Sequence, residues 1–114
     1  MTRSPQEILT DHLAAVASED MAAILKDYRE DAVVLTAQGA LVGLPGVELI
    51  FTQALEMLPK PEFNVKSITS HEGALLLQWA LTSPGGRVND GVDTFVFEGD
   101  AIRLQTISFT VEPL

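Results

Sequence analysis

The stretch "GVDTFVFEGDAIRLQTISF", residues 91–109, predicts two antiparallel strands joined by a tight turn. Glu98-Gly99-Asp100 is a typical turn sequence, and β-branched and aromatic residues alternate on both sides of it. Asp93 interrupts the first strand, which is otherwise suited to burial. An unpaired buried carboxylate costs several kcal/mol or stays protonated, so this position calls for a structural or functional reason.

The rest of the C-terminal half continues the strand pattern. Four segments have the composition of strands, and turns rich in glycine or proline separate them. These predicted strands are residues 62–70, 74–83, 91–98 and 101–111. Consecutive strands with short turns favour an antiparallel meander.

The N-terminal half has helical spacing instead. Ser4-Pro5-Gln6-Glu7 has the form of a capping box and predicts a helix over residues 5–17. Apolar residues from Met21 to Tyr28 predict a second, short helix, and those from Pro45 to Leu58 predict a third. Two short strands are predicted between the second and third helices, at residues 31–36 and 39–43. Helices that precede a meander indicate an α+β fold, with residues 1–114 as a single domain.

Composition excludes several classes of function. The chain is 46% hydrophobic and 20% charged, which is typical of a globular domain, and its net charge of −9 disfavours nucleic acid and anionic membranes as partners. It has no cysteine, no secretory signal pattern and no apolar run long enough to span a bilayer, so we expect a cytoplasmic protein. We expect no cofactor, because "GALVGLPG" lacks the spacing of a nucleotide loop, and no metal site.

The strand over residues 74–83 is apolar on both faces. Leu75, Leu77 and Trp79 alternate with Leu76 and Ala80. One face can pack against the helices, whereas the other needs a second cover. A homodimer that packs sheet against sheet would provide it.

Three local patterns together resemble the NTF2-like superfamily, in particular its SnoaL-like and ketosteroid-isomerase-like branches. They are "ASEDMAAILKDYREDAVVLTAQGALVG" at residues 17–43, a glycine followed by the amphipathic helix Val47–Leu58, and the hairpin at residues 91–109. The resemblance covers the whole chain. It implies an α+β cone in which three N-terminal helices pack on a strongly curved, mostly antiparallel sheet that encloses an apolar pocket.

The resemblance also places three positions of ketosteroid isomerases on this chain. A tyrosine that donates to the oxyanion corresponds to His12, the catalytic base corresponds to Thr36, and the second oxyanion donor corresponds to Asp93 of "VDTF". In that family the second donor is an aspartic acid that stays protonated in an apolar site. Because threonine replaces the base, steroid isomerisation by the family's mechanism is not expected.

Alternation places Asp93 on the same strand face as Phe95 and Phe97, which we expect to face the helices. The alternative is a surface carboxylate paired with Arg87 or Arg103. The first interpretation puts Asp93 in the pocket, and the second leaves it without a function.

His12 lies four residues after Ile8 and four before Val16, on the apolar face of the first helix. It is therefore either a pocket residue or an ordinary core histidine. If His12 and Asp93 both reach the pocket, they could hydrogen-bond to each other, and the carboxylate would then raise the histidine pKa. We take these two as candidate catalytic residues.

Five further residues are candidate ligand contacts. Gln105 stands among apolar residues of the last strand, where a buried amide needs partners. The other candidates are aromatic or belong to positions that the resemblance places at the pocket. The full set is Thr36, Phe51, Trp79, Gln105 and Phe109.

These features favour a protein that binds a small apolar molecule. One interpretation is an acid–base enzyme of the isomerase, cyclase or hydrolase class, acting on a hydrophobic carbonyl or polycyclic compound. The alternatives are a non-catalytic ligand-binding domain and a structural dimerisation domain with a filled core.

Overall fold

The computed structural model describes residues 3–114, in which three helices pack on one six-stranded sheet. The helices are α1 (Pro5–Ala17), α2 (Met21–Lys26) and α3 (Gly43–Met57). The strands are β1 (Tyr28–Thr36), β2 (Gly39–Val42), β3 (Glu62–His71), β4 (Ala74–Ser83), β5 (Gly86–Glu98) and β6 (Ala101–Ser108). No helix in this part of the chain is long and apolar enough to cross a membrane.

The first helix begins where its capping box predicts. The Ser4 hydroxyl accepts a hydrogen bond from the Glu7 amide at 3.1 Å, and the Glu7 carboxylate accepts one from the Ser4 amide at 2.9 Å. Both bonds satisfy amide groups that the first helical turn would otherwise leave unpaired. The predicted range of residues 5–17 is confirmed.

The second helix is shorter than predicted, because Tyr28 belongs to β1 and not to α2. The chain leaves the helix at Asp27, whose carbonyl oxygen accepts a hydrogen bond from the Ile102 amide at 2.8 Å. Arg3 donates to the Asp27 carboxylate at 2.9 Å. Tyr28 then pairs with Ile102, so pairing with β6 overrides the helical spacing of this segment.

The sheet has the strand order β2-β1-β6-β5-β4-β3. All neighbouring pairs are antiparallel except β1 and β6, which are parallel. Register shifts occur in four of the five pairings, and such irregularities bend and twist a sheet. The helices cover the concave side of this curved, open sheet. The predicted α+β class with a mostly antiparallel sheet is confirmed.

Three strand boundaries in the last half differ from prediction, and the smallest difference is that β3 ends at His71 and not at residue 70. β5 begins at Gly86 and not at Gly91, because Val88 pairs with Leu81 and Arg87 with Glu112. Residues 86–90 include glycine, asparagine and aspartate, which are common in turns. The alternation of apolar and polar residues therefore did not predict that the strand begins there. β6 ends at Ser108 and does not reach residue 111. The predicted range of β4, residues 74–83, is confirmed.

Candidate functional site

A cavity of about 620 Å³ lies between the concave face of the sheet and helices α1 and α3. Its floor consists of buried residues, including His12, Leu77, Asp93 and Gln105. The cavity opens at the β1–β2 turn (residues 37–40) and along α3, where some of the lining residues are exposed to solvent. Apart from the polar groups of the floor and mouth, the walls are aliphatic and aromatic. A filled core would leave no such space.

Asp93 is held on the floor by two hydrogen-bond donors. The Trp79 indole Nε1–H donates to Asp93 Oδ1 at 3.0 Å, and the Gln105 amide Nε2–H donates to Asp93 Oδ2 at 3.0 Å. The Tyr28 hydroxyl donates in turn to the Gln105 Oε1 atom, which fixes the orientation of the amide. Each carboxylate oxygen has a second acceptor position, so a ligand can still bind to it.

Strand register explains why these side chains meet. Trp79 pairs with Gly91 across β4 and β5, and Asp93 is the next residue of β5 on the same face. A Cβ atom on Gly91 would lie 2.2 Å from the Cδ2 and Cε2 atoms of the indole. The missing side chain therefore makes the space in which the indole lies flat over β5 and reaches the carboxylate.

The environment of Asp93 raises the pKa of its carboxyl to about 6. Burial is the main cause, because it removes water from the charged form, and the hydrogen bonds from Trp79 and Gln105 partly offset it. At neutral pH most of the carboxyl is ionised. Within residues 3–114, no lysine or arginine lines the cavity, so this charge has no cationic partner there.

His12 is buried on α1 among three aromatic rings. The centroids of Tyr28, Phe51 and Phe95 lie 5.4–5.7 Å from its ring in edge-to-face arrangements. Burial lowers the pKa of His12 to about 4, so the ring is neutral at physiological pH. Its Nδ1 atom is buried and has no hydrogen-bond partner among the described residues.

The predicted pairing of His12 with Asp93 is wrong in its direct form. The two residues line the same cavity, but neither a hydrogen bond nor an ion pair joins them, and the oxygens of Asp93 bind Trp79 and Gln105 instead. The expected rise in the histidine pKa is wrong as well. Desolvation lowers it, and no carboxylate compensates.

The surface alternative for Asp93 is also wrong, because only 7% of the residue is exposed. Arg87 and Arg103 lie near glutamates instead, Arg87 at 3.9 Å from Glu112 and Arg103 at 3.5 Å from Glu98. The carboxylate therefore faces the cavity without either arginine.

All seven candidate residues line the cavity. They are His12, Thr36, Phe51, Trp79, Asp93, Gln105 and Phe109. Thr36 lies toward the mouth, where its hydroxyl donates to the Gly39 carbonyl and accepts from the Gln38 amide, both at 3.2 Å. The ring of Phe109 packs against Trp79 at 5.6 Å between centroids. Trp79 faces inward from β4, whereas its neighbour Gln78 is exposed on the other face.

Sequence reasoning missed two residues that position the site. The helical spacing of Tyr28 predicts packing in a helix stripe, whereas in the structure its hydroxyl donates to Gln105. For Gly91 the sequence pattern predicts only the start of a strand. A glycine within an apolar strand can indicate close approach of a neighbour, and here that neighbour is an indole ring.

Comparison with protein families shows that residues 9–105 match the model of the SnoaL-like domain. A search of curated protein sequences found no significant match.

Three solved structures illustrate the similarity in fold. A candidate polyketide cyclase from Sinorhizobium meliloti has a TM-score of 0.79 at 18% identity, covering 92% of this chain and 95% of that one. A cystatin-fold protein from Novosphingobium aromaticivorans has a TM-score of 0.77 at 18% identity, covering 93% and 98%. A protein with a ketosteroid isomerase-like fold from Catenulispora acidiphila, in complex with trimethylamine, has a TM-score of 0.78 at 14% identity, covering 95% and 88%. At these identities the likeness concerns the fold alone.

Proposed function

The chain belongs to the SnoaL-like domain family, and on that premise we propose that its cavity binds a hydrophobic carbonyl or polycyclic compound and that Asp93 performs acid–base chemistry on it. The reaction would be of the isomerase, cyclase or hydrolase class. The candidate cyclase among the structural neighbours is in keeping with this range of chemistry. The observation that carries the proposal is the carboxylate that two donors hold at the floor of an apolar, open cavity.

Asp93 is suited to the role of general base. A carboxyl with a pKa of about 6 is mostly ionised at neutral pH and yet more basic than an ordinary aspartate. Trp79 and Gln105 fix its plane, so the remaining acceptor positions have a defined direction. Asp93 would take a proton from a carbon next to a carbonyl group and return it at another position of the same molecule.

Neutral His12 is suited to bind the carbonyl oxygen of the substrate. A buried nitrogen without a partner is tolerated better as an acceptor than as an N–H donor, which favours the tautomer with the proton on Nε2. Nε2–H would then donate to the substrate oxygen. A neutral imidazole can stabilise a developing enolate in this way.

Proton exchange tests this proposal without knowledge of the natural substrate. In D₂O, the wild-type protein is expected to accelerate exchange of the α-protons of a cyclic ketone such as 2-tetralone, followed by NMR. The rate should rise with pH around a midpoint near 6. Asp93→Asn should reduce the acceleration by about 100-fold or more, as for loss of a general base.

The matched control is Asp90→Asn, which changes an exposed carboxylate on the same strand and should leave exchange unaffected. Equal exchange rates in wild type and Asp93→Asn would contradict the proposed role of Asp93.

One observation favours a non-catalytic alternative. Thr36 occupies the position where the resemblance places a base, and its hydroxyl is engaged in the β1–β2 turn. Under this alternative, Asp93 and His12 would only hold a ligand. Binding of the ketone without any acceleration of exchange would support it.

We also propose that the chain forms a homodimer through the outer face of the sheet. Register places three rows of uncharged side chains on the side away from the helices. The rows are Leu76, Thr94, Thr106 and Leu35; Gln78, Val92 and Ser108; and Ala74, Val96, Leu104, Val33 and Val42. An uncharged surface of this extent is typical of a protein contact.

Light scattering at micromolar concentration is expected to give the mass of a dimer. Thr94→Arg places a charge in the middle of the outer face, and it should shift the mass to that of a monomer because the contact would bury this charge without a partner. A wild-type protein that is monomeric at these concentrations would contradict the dimer.

A further inference from the structure

We propose that the cavity is a binding site for hydrophobic amines, in which the ligand ammonium group pairs with the Asp93 carboxylate. The inference rests on the proposed function only in that the cavity must admit a small molecule. It adds a charge preference, and it implies that amines occupy the proposed base and so compete with substrate.

The charge of Asp93 is incompletely compensated by the protein. Trp79 and Gln105 provide N–H dipoles, but neither carries a full positive charge. Asp93 has the only formally charged side chain among the described residues that line the cavity. A buried anion in this condition is stabilised by any cation that reaches it, and the free acceptor position on each oxygen suits an ammonium donor.

The walls suit the remainder of such a ligand. Phe63 and Phe109 both pack against Trp79, with ring centroids 5.7 Å and 5.6 Å from the indole. Because Trp79 also binds Asp93, this aromatic cluster lies next to the carboxylate. Aromatic faces attract cations, and the apolar walls further out would bury a hydrocarbon body.

The other titratable groups near Asp93 do not oppose a cation. His12 on α1 has a pKa of about 4, so it does not become a competing imidazolium near neutral pH. Burial raises the pKa of Tyr28 on β1 well above its ordinary value, so it also stays neutral. Outside the cavity, the net charge of −9 attracts cations to the protein and repels anions.

Three ligands that share one hydrocarbon body test the inference, because one is a cation, one is neutral and one is an anion. The probes are 1-adamantanamine, 1-adamantanol and 1-adamantanecarboxylate, and the readout is the fluorescence of Trp79, the single tryptophan of the chain. At pH 7.5 we expect the amine to bind about tenfold more tightly than the alcohol, as for a hydrogen bond to a charged group, and the carboxylate to bind most weakly.

Two comparisons connect the preference to Asp93. Asp93→Asn should bind the amine and the alcohol equally, whereas the control Asp90→Asn should keep the preference. In the wild-type protein, lowering the pH to 5 should reduce the preference, because Asp93 becomes protonated while the amine remains charged. The pH comparison needs no variant and so does not depend on how Asp93→Asn folds.

The outcomes separate this inference from the proposed function. Binding of the alcohol as tightly as the amine at pH 7.5 would overturn the amine preference and leave the apolar ligand site intact. A preference that persists in Asp93→Asn or at pH 5 would overturn the role of Asp93 in it. If none of the three probes binds, both the amine site and the ligand-binding cavity are contradicted.

Discussion

Replacing Gly91 with alanine is expected to lower the free energy of unfolding by about 2–4 kcal/mol, the combined cost of overpacking and of a lost hydrogen bond to a charged group. The new Cβ atom would lie 2.2 Å from two atoms of the Trp79 indole. Both atoms belong to the rigid ring system, so the whole ring must move. Its Nε1–H would then lose Asp93, and the carboxyl pKa should rise further because that bond lowers it.

Urea denaturation followed by circular dichroism measures the loss, and a double-mutant cycle identifies its origin. Trp79→Leu removes the ring that the new methyl group would strike. In that background, Gly91→Ala should cost much less than in the wild-type protein. An equal cost in both backgrounds would show that the indole is not the reason for the glycine.

Two variants, Asp93→Asn and His12→Phe, are expected to differ from the wild-type protein in how their stability depends on pH. The two differences should have opposite signs. The folded-state pKa of Asp93 is raised to about 6 from 3.8, so its contribution to stability is fully present below pH 3.8 and is lost as pH rises through 6. The folded-state pKa of His12 is lowered to about 4 from 6.5, so its contribution is fully present above pH 6.5 and is lost as pH falls through 4. Each effect is worth about 3 kcal/mol in total.

In the wild-type protein the two effects largely cancel between pH 4 and 6.5, and each variant removes one of them. Between pH 7 and pH 4, Asp93→Asn should lose about 2–3 kcal/mol of unfolding free energy relative to wild type, and His12→Phe should gain about as much. Urea denaturation at a series of pH values measures both differences, in which the titration of all other carboxylates cancels. Differences from wild type that do not change with pH would contradict the burial of both groups.

Sequence patterns predicted the parts of this fold that depend on local interactions. The capping box at Ser4 and Glu7 gave the bounds of α1, and alternation gave those of β4. The end of α2 was mispredicted because Tyr28 continues the helical spacing of its neighbours, whereas a parallel partner strand about 75 residues further along the chain determines its conformation. No local pattern reveals such a partner.

The candidate site was predicted as a set of residues more successfully than as a set of contacts. Alternation and the family resemblance placed Asp93 and His12 at one cavity, which the structure also does. They could not show that Trp79 and Gln105 occupy the carboxylate oxygens, because that depends on the register of three strands and on the space above Gly91. The predicted rise in the His12 pKa depended on a hydrogen bond to Asp93. Because that bond is absent, burial alone acts on the histidine and lowers its pKa.

The most direct measurement is the pH titration of the Trp79 indole N–H resonance, because its proton is bound to Asp93 and the chain contains a single tryptophan. In the wild-type protein we expect the resonance to shift with a midpoint near pH 6, the pKa of the buried carboxyl. In Asp93→Asn this transition should be absent. A midpoint near pH 4, or a resonance that does not move between pH 5 and 7, would contradict a buried, ligand-accessible carboxylate that titrates near neutral pH.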